Sequence, residues 1–421
     1  MSNPSTPPRL AMGERLGHFE ILEMIKEGGQ ATVYLARIAR PQQPPATRLL
    51  WQLHWLGATP ARIAAAGICV LKVVNPGKQD ALIDEHTYLL KVRSALHQGE
   101  QPPHLISLFH SSELRNSAER QRGLDGIWKS KYRDTKGRSL EFIALPYLPG
   151  GALDSILREQ QHRPLPASSA VAITLQLCAA LRFLHERVGL VHHDISPSNI
   201  VLLQRPSFFR PQPPECVLID LAAADAPAHP RLRSLIGKLI YLPPQRINRS
   251  RNIEPSIGID PAIDVYSLGV VLYEMLAGQL PNPSIDQETG IPLPLPSLKQ
   301  QRPDLSPELL QLVSDTVSHD AHRWPDLGQF QARLEATPEA RQPARLRGRF
   351  DQRAIMQSLA ATITLFMLVL GLMLTWAPTL SAPSPPTTTR PIATITPLPT
   401  ATPLPAPSPT LMPRSTSTPA R

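Results

Sequence analysis

Residues Val191–Ile200 read VHHDISPSNI. A carboxylate, Asp194, and an amide, Asn199, stand five positions apart in this loop. Upstream, SSAVAITLQLCAALRFLHE places apolar side chains at Val171, Leu175, Cys178, Leu181 and Leu184. That is the stripe of a helix with one buried face. Downstream, IVLL and then VLIDLA are apolar runs, and the second is interrupted by a single acid, Asp220.

Toward the N-terminus, Phe19–Ile38 reads FEILEMIKEGGQATVYLARI, two alternating apolar strands around a Gly pair. A loop of this kind lets backbone N–H groups approach phosphates closely. Next, Ile68–Val74 reads ICVLKVV, a buried strand that carries one amine, Lys72. An amine in apolar surroundings needs an anionic partner. The segment DALIDEHTYLLKVRSAL that follows has a helical pattern and includes Glu85.

In this order the motifs resemble the protein kinase family. The resemblance runs over residues 18–336 and is most specific at DVYSLGVVLYEMLAGQLP, Asp264–Pro281, which is similar to the central helix of the family. It implies that Asp264 ties down the backbone of the catalytic loop. It also implies that Lys72, held by Glu85, contacts the α- and β-phosphates of ATP. Asp194 would accept the proton of a substrate hydroxyl, and Asn199 and Asp220 would hold Mg2+. The ATP site would be lined by Ile25, Gly28, Gly29, Val33, Val70, Lys72, Leu145 as gatekeeper, Pro146, Leu148 and Val201.

The chain departs from the family pattern at several places. Of the three loop glycines only the middle one is kept, as Gly28; Lys26 and Ala31 stand at the other two positions. Val70 replaces a small residue beside the adenine. His193 and Ser196 replace the usual Arg and Lys of the catalytic loop, the metal-binding motif reads DLA, and Gln245 replaces an acid expected to pair with Arg323. Lys238, in IGKLIYLPPQR, stands where the family usually has Thr. It is the candidate to return the missing cation to the transferred phosphate, which makes it a fourth expected catalytic residue beside Asp194, Lys72 and Glu85. With His193 in place of Arg, an activation-loop phosphate has no built-in clamp, so activity should not depend on phosphorylation of Ser234.

The 421-residue chain is too long for one compact core, and its net charge is +9. Cys69, Cys178 and Cys216 are far apart in apolar runs and read as buried thiols. The basic excess is densest at Thr337–Arg353, TPEARQPARLRGRFDQR, directly before the uncharged run AIMQSLAATITLFMLVLGLMLTW, Ala354–Trp376. As a helix that run is about 35 Å long, enough to cross a bilayer. The Arg-rich flank therefore reads as a topology signal that keeps the preceding part cytoplasmic and contacts anionic lipid, and no nucleic-acid partner is expected. From Ala377 to Arg421 the tail is rich in Pro and Thr and lacks acids; it is expected to be disordered and extracytoplasmic.

The expected fold class is α+β, a two-lobed protein kinase-like fold with an antiparallel N-lobe sheet plus helix and a mainly helical C-lobe. The expected boundaries are a disordered N-terminus 1–17, N-lobe 18–146, C-lobe 147–336, juxtamembrane linker 337–353, transmembrane helix 354–376 and disordered tail 377–421. Residues 40–66, 111–138 and 204–214 read as insertions. The resemblance implies a single-pass Ser/Thr kinase of the bacterial eukaryotic-like type that uses ATP and Mg2+ on protein Ser/Thr, with room for a homodimer that phosphorylates itself. The alternative is a pseudokinase, a membrane-tethered module that binds nucleotide or protein. A third reading makes the tail the working part.

Overall fold

A computed structural model describes residues 9–40, 49, 63, 66–97, 100–109, 130–133, 139–206, 211, 213–224, 236–244, 260–281, 286, 292–347, 363–364 and 366–368. The chain divides into two units, Met1–Phe350 and Asp351–Arg421.

The first unit begins with an antiparallel sheet of β1 (Arg15–Leu16), β2 (Phe19–Glu27), β3 (Ala31–Ile38), β4 (Ile68–Val74), β5 (Ser130–Arg133) and β6 (Ser139–Pro146). The strands lie in the order β1-β2-β3-β4-β6-β5. Directly opposed residues share a face of a sheet. Register therefore carries Val33, Lys72 and Ile143 across three strands on one face, with Leu35, Val70 and Leu145 as the next row. Tyr34, Leu71 and Ala144 form a row on the opposite face, in a buried cluster with Phe19 and Phe142, whose rings meet edge to face at 5.9 Å.

Helix α1 (Gln79–Ser94) buries Leu82, Glu85, Leu89 and Val92, one stripe at helical spacing. Its C-terminal end is tied to the other lobe by Arg187, whose guanidinium donates to the Ala95 carbonyl and to both oxygens of Glu100.

The C-lobe packs around two apolar helices, α3 (Ala167–Arg182) and α4 (Ala262–Ala277); α2 (Leu153–Glu159) lies before them in the chain. Helix α3 runs on into a wider turn, Phe183–Val188, which ends at Gly189 with φ +73°. The short pair β7 (Ile200–Leu202) and β8 (Cys216–Leu218) follows. Helix α4 ends at Gly278, φ +86°, where a Cβ would lie 2.1 Å from the His162 carbonyl oxygen, so both conformation and space require glycine. Helices α5 (Pro307–Thr316) and α6 (Leu327–Ala336) are capped by the side chains of Ser306 and Asp326.

Both ends of this unit extend past the boundaries read from sequence. Residues 9–17 are not a disordered lead. Leu10 and Leu16 are buried in the sheet's cluster, and the Leu10 N–H donates to the Tyr34 hydroxyl. Residues 337–347 are likewise part of the C-lobe rather than a free linker. The Glu339 carboxylate accepts from the Ser306 N–H and hydroxyl, the Ser168 hydroxyl donates to the Pro343 carbonyl, and Leu346 is buried. The apolar pattern missed this strap because few of its side chains are inside.

Among the described residues, the helix long and apolar enough to cross a membrane is 167–188, and most of it is buried in the C-lobe core. The expected transmembrane segment 354–376 lies outside the described residues apart from 363–364 and 366–368. Those are helical and have exposed side chains, among them Ile363, Phe366, Met367 and Leu368. The tail 377–421 also lies outside them.

Candidate functional site

Lys72 points from β4 into the space between sheet and α1, where its ammonium lies 2.6 Å from Glu85 and 3.1 Å from Asp220. Burial alone would lower the Lys72 pKa. The two carboxylates more than offset it and hold the ammonium above the usual lysine range. For Asp220, burial is outweighed by Lys72 and by the Ala222 N–H, and its pKa falls to about 2. Burial dominates at Glu85 and pushes it up to about 7 against the pull of Lys72. Asp220 is therefore ionised at neutral pH, while Glu85 titrates close to it.

Asp220 sits at φ +68° and His193 at φ +64°, both in the left-handed region that disfavours side chains. Such residues persist where their surroundings fix them. At His193 the fixing comes from Asp264, fully buried in the first turn of α4. Its carboxylate accepts the His192 and His193 N–H groups at 2.8 and 2.9 Å, and it meets His185 Nε2 at 2.8 Å. Burial raises the Asp264 pKa, but the His185 hydrogen bond and charge outweigh it and leave it below the usual range.

His192 joins the loop to the strand that leads to Asp220. Its Nδ1 accepts the Asp194 N–H at 3.3 Å, which leaves Nε2–H to donate to the Ile219 carbonyl at 3.2 Å. The turn Pro197–Asn199 then folds Asn199 back, so that Nδ2 donates to the Asp194 carbonyl and carboxylate, each at 2.8 Å. The Ile219 N–H donates to the Asn199 carbonyl at 2.8 Å. Asp194, Asn199 and Asp220 thus belong to one hydrogen-bonded frame.

Of the other residues named from sequence, Gly28 and Gly29 lie at the tip between β2 and β3, and Ile25 is exposed on β2. Val33 is on the row of Lys72, and Val70 faces Leu145 across β4 and β6. Pro146 ends β6, Leu148 follows it half-buried, and Val201 is half-buried on β7. Lys238 lies in the turn Ile236–Tyr241, and its side chain is outside the described residues, as are Ser234 and Gln245. Arg323, expected to face Gln245, forms an ion pair with Asp315 at 2.7 Å, because α5 and α6 bring that acid between Arg323 and Arg333. Cys69, Cys178 and Cys216 are free and buried, with thiol pKa values pushed up by desolvation.

Sequence reasoning missed three features. Gln30 and Lys78 line the small pocket beside Lys72 and Glu85. Asn75 reaches the tip of the hairpin from the end of β4. His185 shares Asp264 with the loop, a role its place at the end of the α3 stripe could have suggested.

Residues 129–330 match the protein kinase domain family. The chain carries a protein kinase domain. Its relatives include the serine/threonine-protein kinase PknB of Mycobacterium leprae, 25% identical over 278 residues, 66% of this chain and 34% of that protein. PknL of Mycobacterium bovis is 27% identical over 272 residues, covering 61% of each chain. The kinase pkn3 of Myxococcus xanthus is 29% identical over 215 residues, 48% of this chain and 37% of the other. The chain thus spans only about a third of the length of PknB and pkn3. The crystal structure of the PknI kinase domain of Mycobacterium tuberculosis aligns with a TM-score of 0.47 and 20% identity, over 78% of this chain and 98% of that one.

Proposed function

We propose that this chain is a membrane-anchored Ser/Thr protein kinase that transfers the γ-phosphoryl group of ATP to protein hydroxyls. The observation that carries the reading is the charge chain Glu85–Lys72–Asp220 facing the Asp194–Asn199 frame. The protein kinase family uses ATP and a divalent metal ion and acts on proteins. The finer assignments below are ours.

Lys72, fixed by Glu85, is positioned to hold the α- and β-phosphates. Asp220, with a pKa of about 2, and the Oδ1 of Asn199, whose amide nitrogen is engaged by Asp194, are hard oxygen donors suited to Mg2+. Among the described residues no group of three His, Cys, Asp or Glu side chains could hold a metal ion. That fits an ion that brings most of its ligands with the nucleotide. Bound Mg2+ would offset charge on the transferred group. Asp194 orients the attacking hydroxyl and takes its proton, and Lys238 supplies a cation where the loop has Ser196. The adenine would lie between Ile25, Val33 and Val70 above and Leu148 and Val201 below, against Leu145 and Pro146.

The segment 354–376 would anchor the chain in the cell membrane, with the kinase domain cytoplasmic, the tail 377–421 outside and the Arg-rich flank at lipid headgroups. The partners would be protein substrates and a second copy of the chain that it phosphorylates; nucleic acid is not among them. Protease added outside intact cells should remove only the tail.

The test uses the full chain in detergent with labelled ATP and Mg2+, beside Asp194→Ala. Label on the protein or on a basic test protein, lost in the variant, is the expected result. No label, with ATP still raising the melting temperature, would replace the proposal with a nucleotide-binding pseudokinase.

A further inference from the structure

The hairpin tip Glu27–Thr32 approaches the pocket of Lys72 with one Gly pair in place of three spaced glycines. Its own closure is slight: the Gly28 N–H donates to the Ala31 carbonyl at 3.1 Å. A Cβ on Gly28 would stand 3.0 Å from that same oxygen, so a side chain there would press on the bend.

The rest of the fixing comes from one residue 47 positions away. Asn75 Nδ2 donates to the Gly28 carbonyl at 2.7 Å, and Asn75 Oδ1 accepts the Thr32 hydroxyl at 3.2 Å. The Asn75 N–H donates to the Gln30 carbonyl at 2.9 Å. Asn75 is buried, and its three bonds reach both sides of the tip and its centre. The amide can point only one way, because the flipped form would set Oδ1 against the Gly28 carbonyl.

Two carbonyls and one hydroxyl of the tip are thus held at Asn75. Among the described residues, the N–H groups of Gly29 and Gln30 have no protein acceptor. These are the donors a phosphate would use. Asn75 directly follows β4, three residues after Lys72. The contact that sets the loop and the amine that faces it are therefore three residues apart in the chain, on β4 and just past its end.

We propose that Asn75 is the positioning residue of the phosphate-binding loop and takes over the work of the two replaced loop glycines. This rests on the ATP-site reading given above. Asn75 need not touch ATP; it acts through Gly28, Gln30 and Thr32.

The test compares full-length wild type with Asn75→Asp, Asn75→Ala and Thr32→Val. Asn75→Asp keeps size but sets a carboxylate oxygen against the Gly28 carbonyl. Two readouts are needed: ATP affinity by titration calorimetry, and hydrogen exchange of residues 24–34 without nucleotide. Asn75→Asp should weaken ATP binding and raise the KM for ATP about tenfold or more, with kcat at saturating ATP within about threefold. It should also speed exchange at 24–34 while the rest of the domain is unchanged. Asn75→Ala should lie between it and wild type, and Thr32→Val should be mildest. Wild-type ATP affinity in Asn75→Asp would overturn the proposal, and so would exchange that rises evenly over the domain. A wild type that binds no ATP, with the loop still loosened in the variants, would remove the nucleotide reading and uphold the clamp.

Discussion

The two walls of the cleft are fixed by different means. On the C-lobe side, a carboxylate inside a buried helix accepts two consecutive N–H groups of the loop Val191–Ile200. That grip is on the backbone, so the loop can carry His193 and Ser196 and still keep its shape. On the N-lobe side, the hairpin Glu27–Thr32 is gripped by one amide side chain at the end of a strand. The comparison teaches that substitutions are tolerated where main chain is held from a rigid core. At either wall the holding group is a single side chain, so substitution of that residue itself should release the element.

The sharpest break between the walls comes from Asp194→Ala. It should cut kcat by about 10²–10⁴-fold while ATP affinity stays within about threefold, because Lys72 and Glu85 are untouched; labelled-phosphate transfer and calorimetry measure the two. Next in size is Asp264→Ala. It leaves the buried His192 N–H and the half-buried His193 N–H without an acceptor, at about 1–3 kcal/mol for the buried one, and should lower the melting temperature by roughly 10 °C. If the melting temperature held, the C-lobe wall would not depend on its carboxylate and the contrast would fail.

A pH series probes the N-lobe wall. Glu85 titrates at about 7, and its protonation removes the closer of the two charges that fix Lys72. The KM for ATP should therefore rise as pH falls from 8 to 6, and Glu85→Gln should start high and stay flat over that window. Parallel profiles for the two proteins would assign the titration elsewhere. The smallest effect is expected for Arg187→Ala, whose pair with Glu100 is solvent-screened, with a melting shift of about 1 °C or less.

The parts of this fold that were legible in the sequence are those where a charge interrupts an apolar run. Lys72 in ICVLKVV, Asp220 in VLIDLA and Asp264 at the head of an apolar helix could each be picked out because burial demands a partner. The structure brings Lys72 to both Glu85 and Asp220. Asn75 was not legible, because a side chain that bonds to a distant main-chain carbonyl leaves no periodicity. Residues 9–17 and 337–347 were misjudged for a related reason. They join the fold through Leu10, Leu16, Glu339 and Leu346, too few apolar positions to form a pattern. The pairing of Arg323 with Asp315 was not legible either, because that acid comes from a neighbouring helix whose angle no local motif encodes.

Helix α1 is tied at its middle through Glu85 to Lys72 and just past its end through Arg187 to Ala95 and Glu100. The Glu85 contact keeps that carboxylate beside Lys72, and the Arg187 contact adds a second, weaker mooring. In mechanical terms the helix is a strut pinned at its centre.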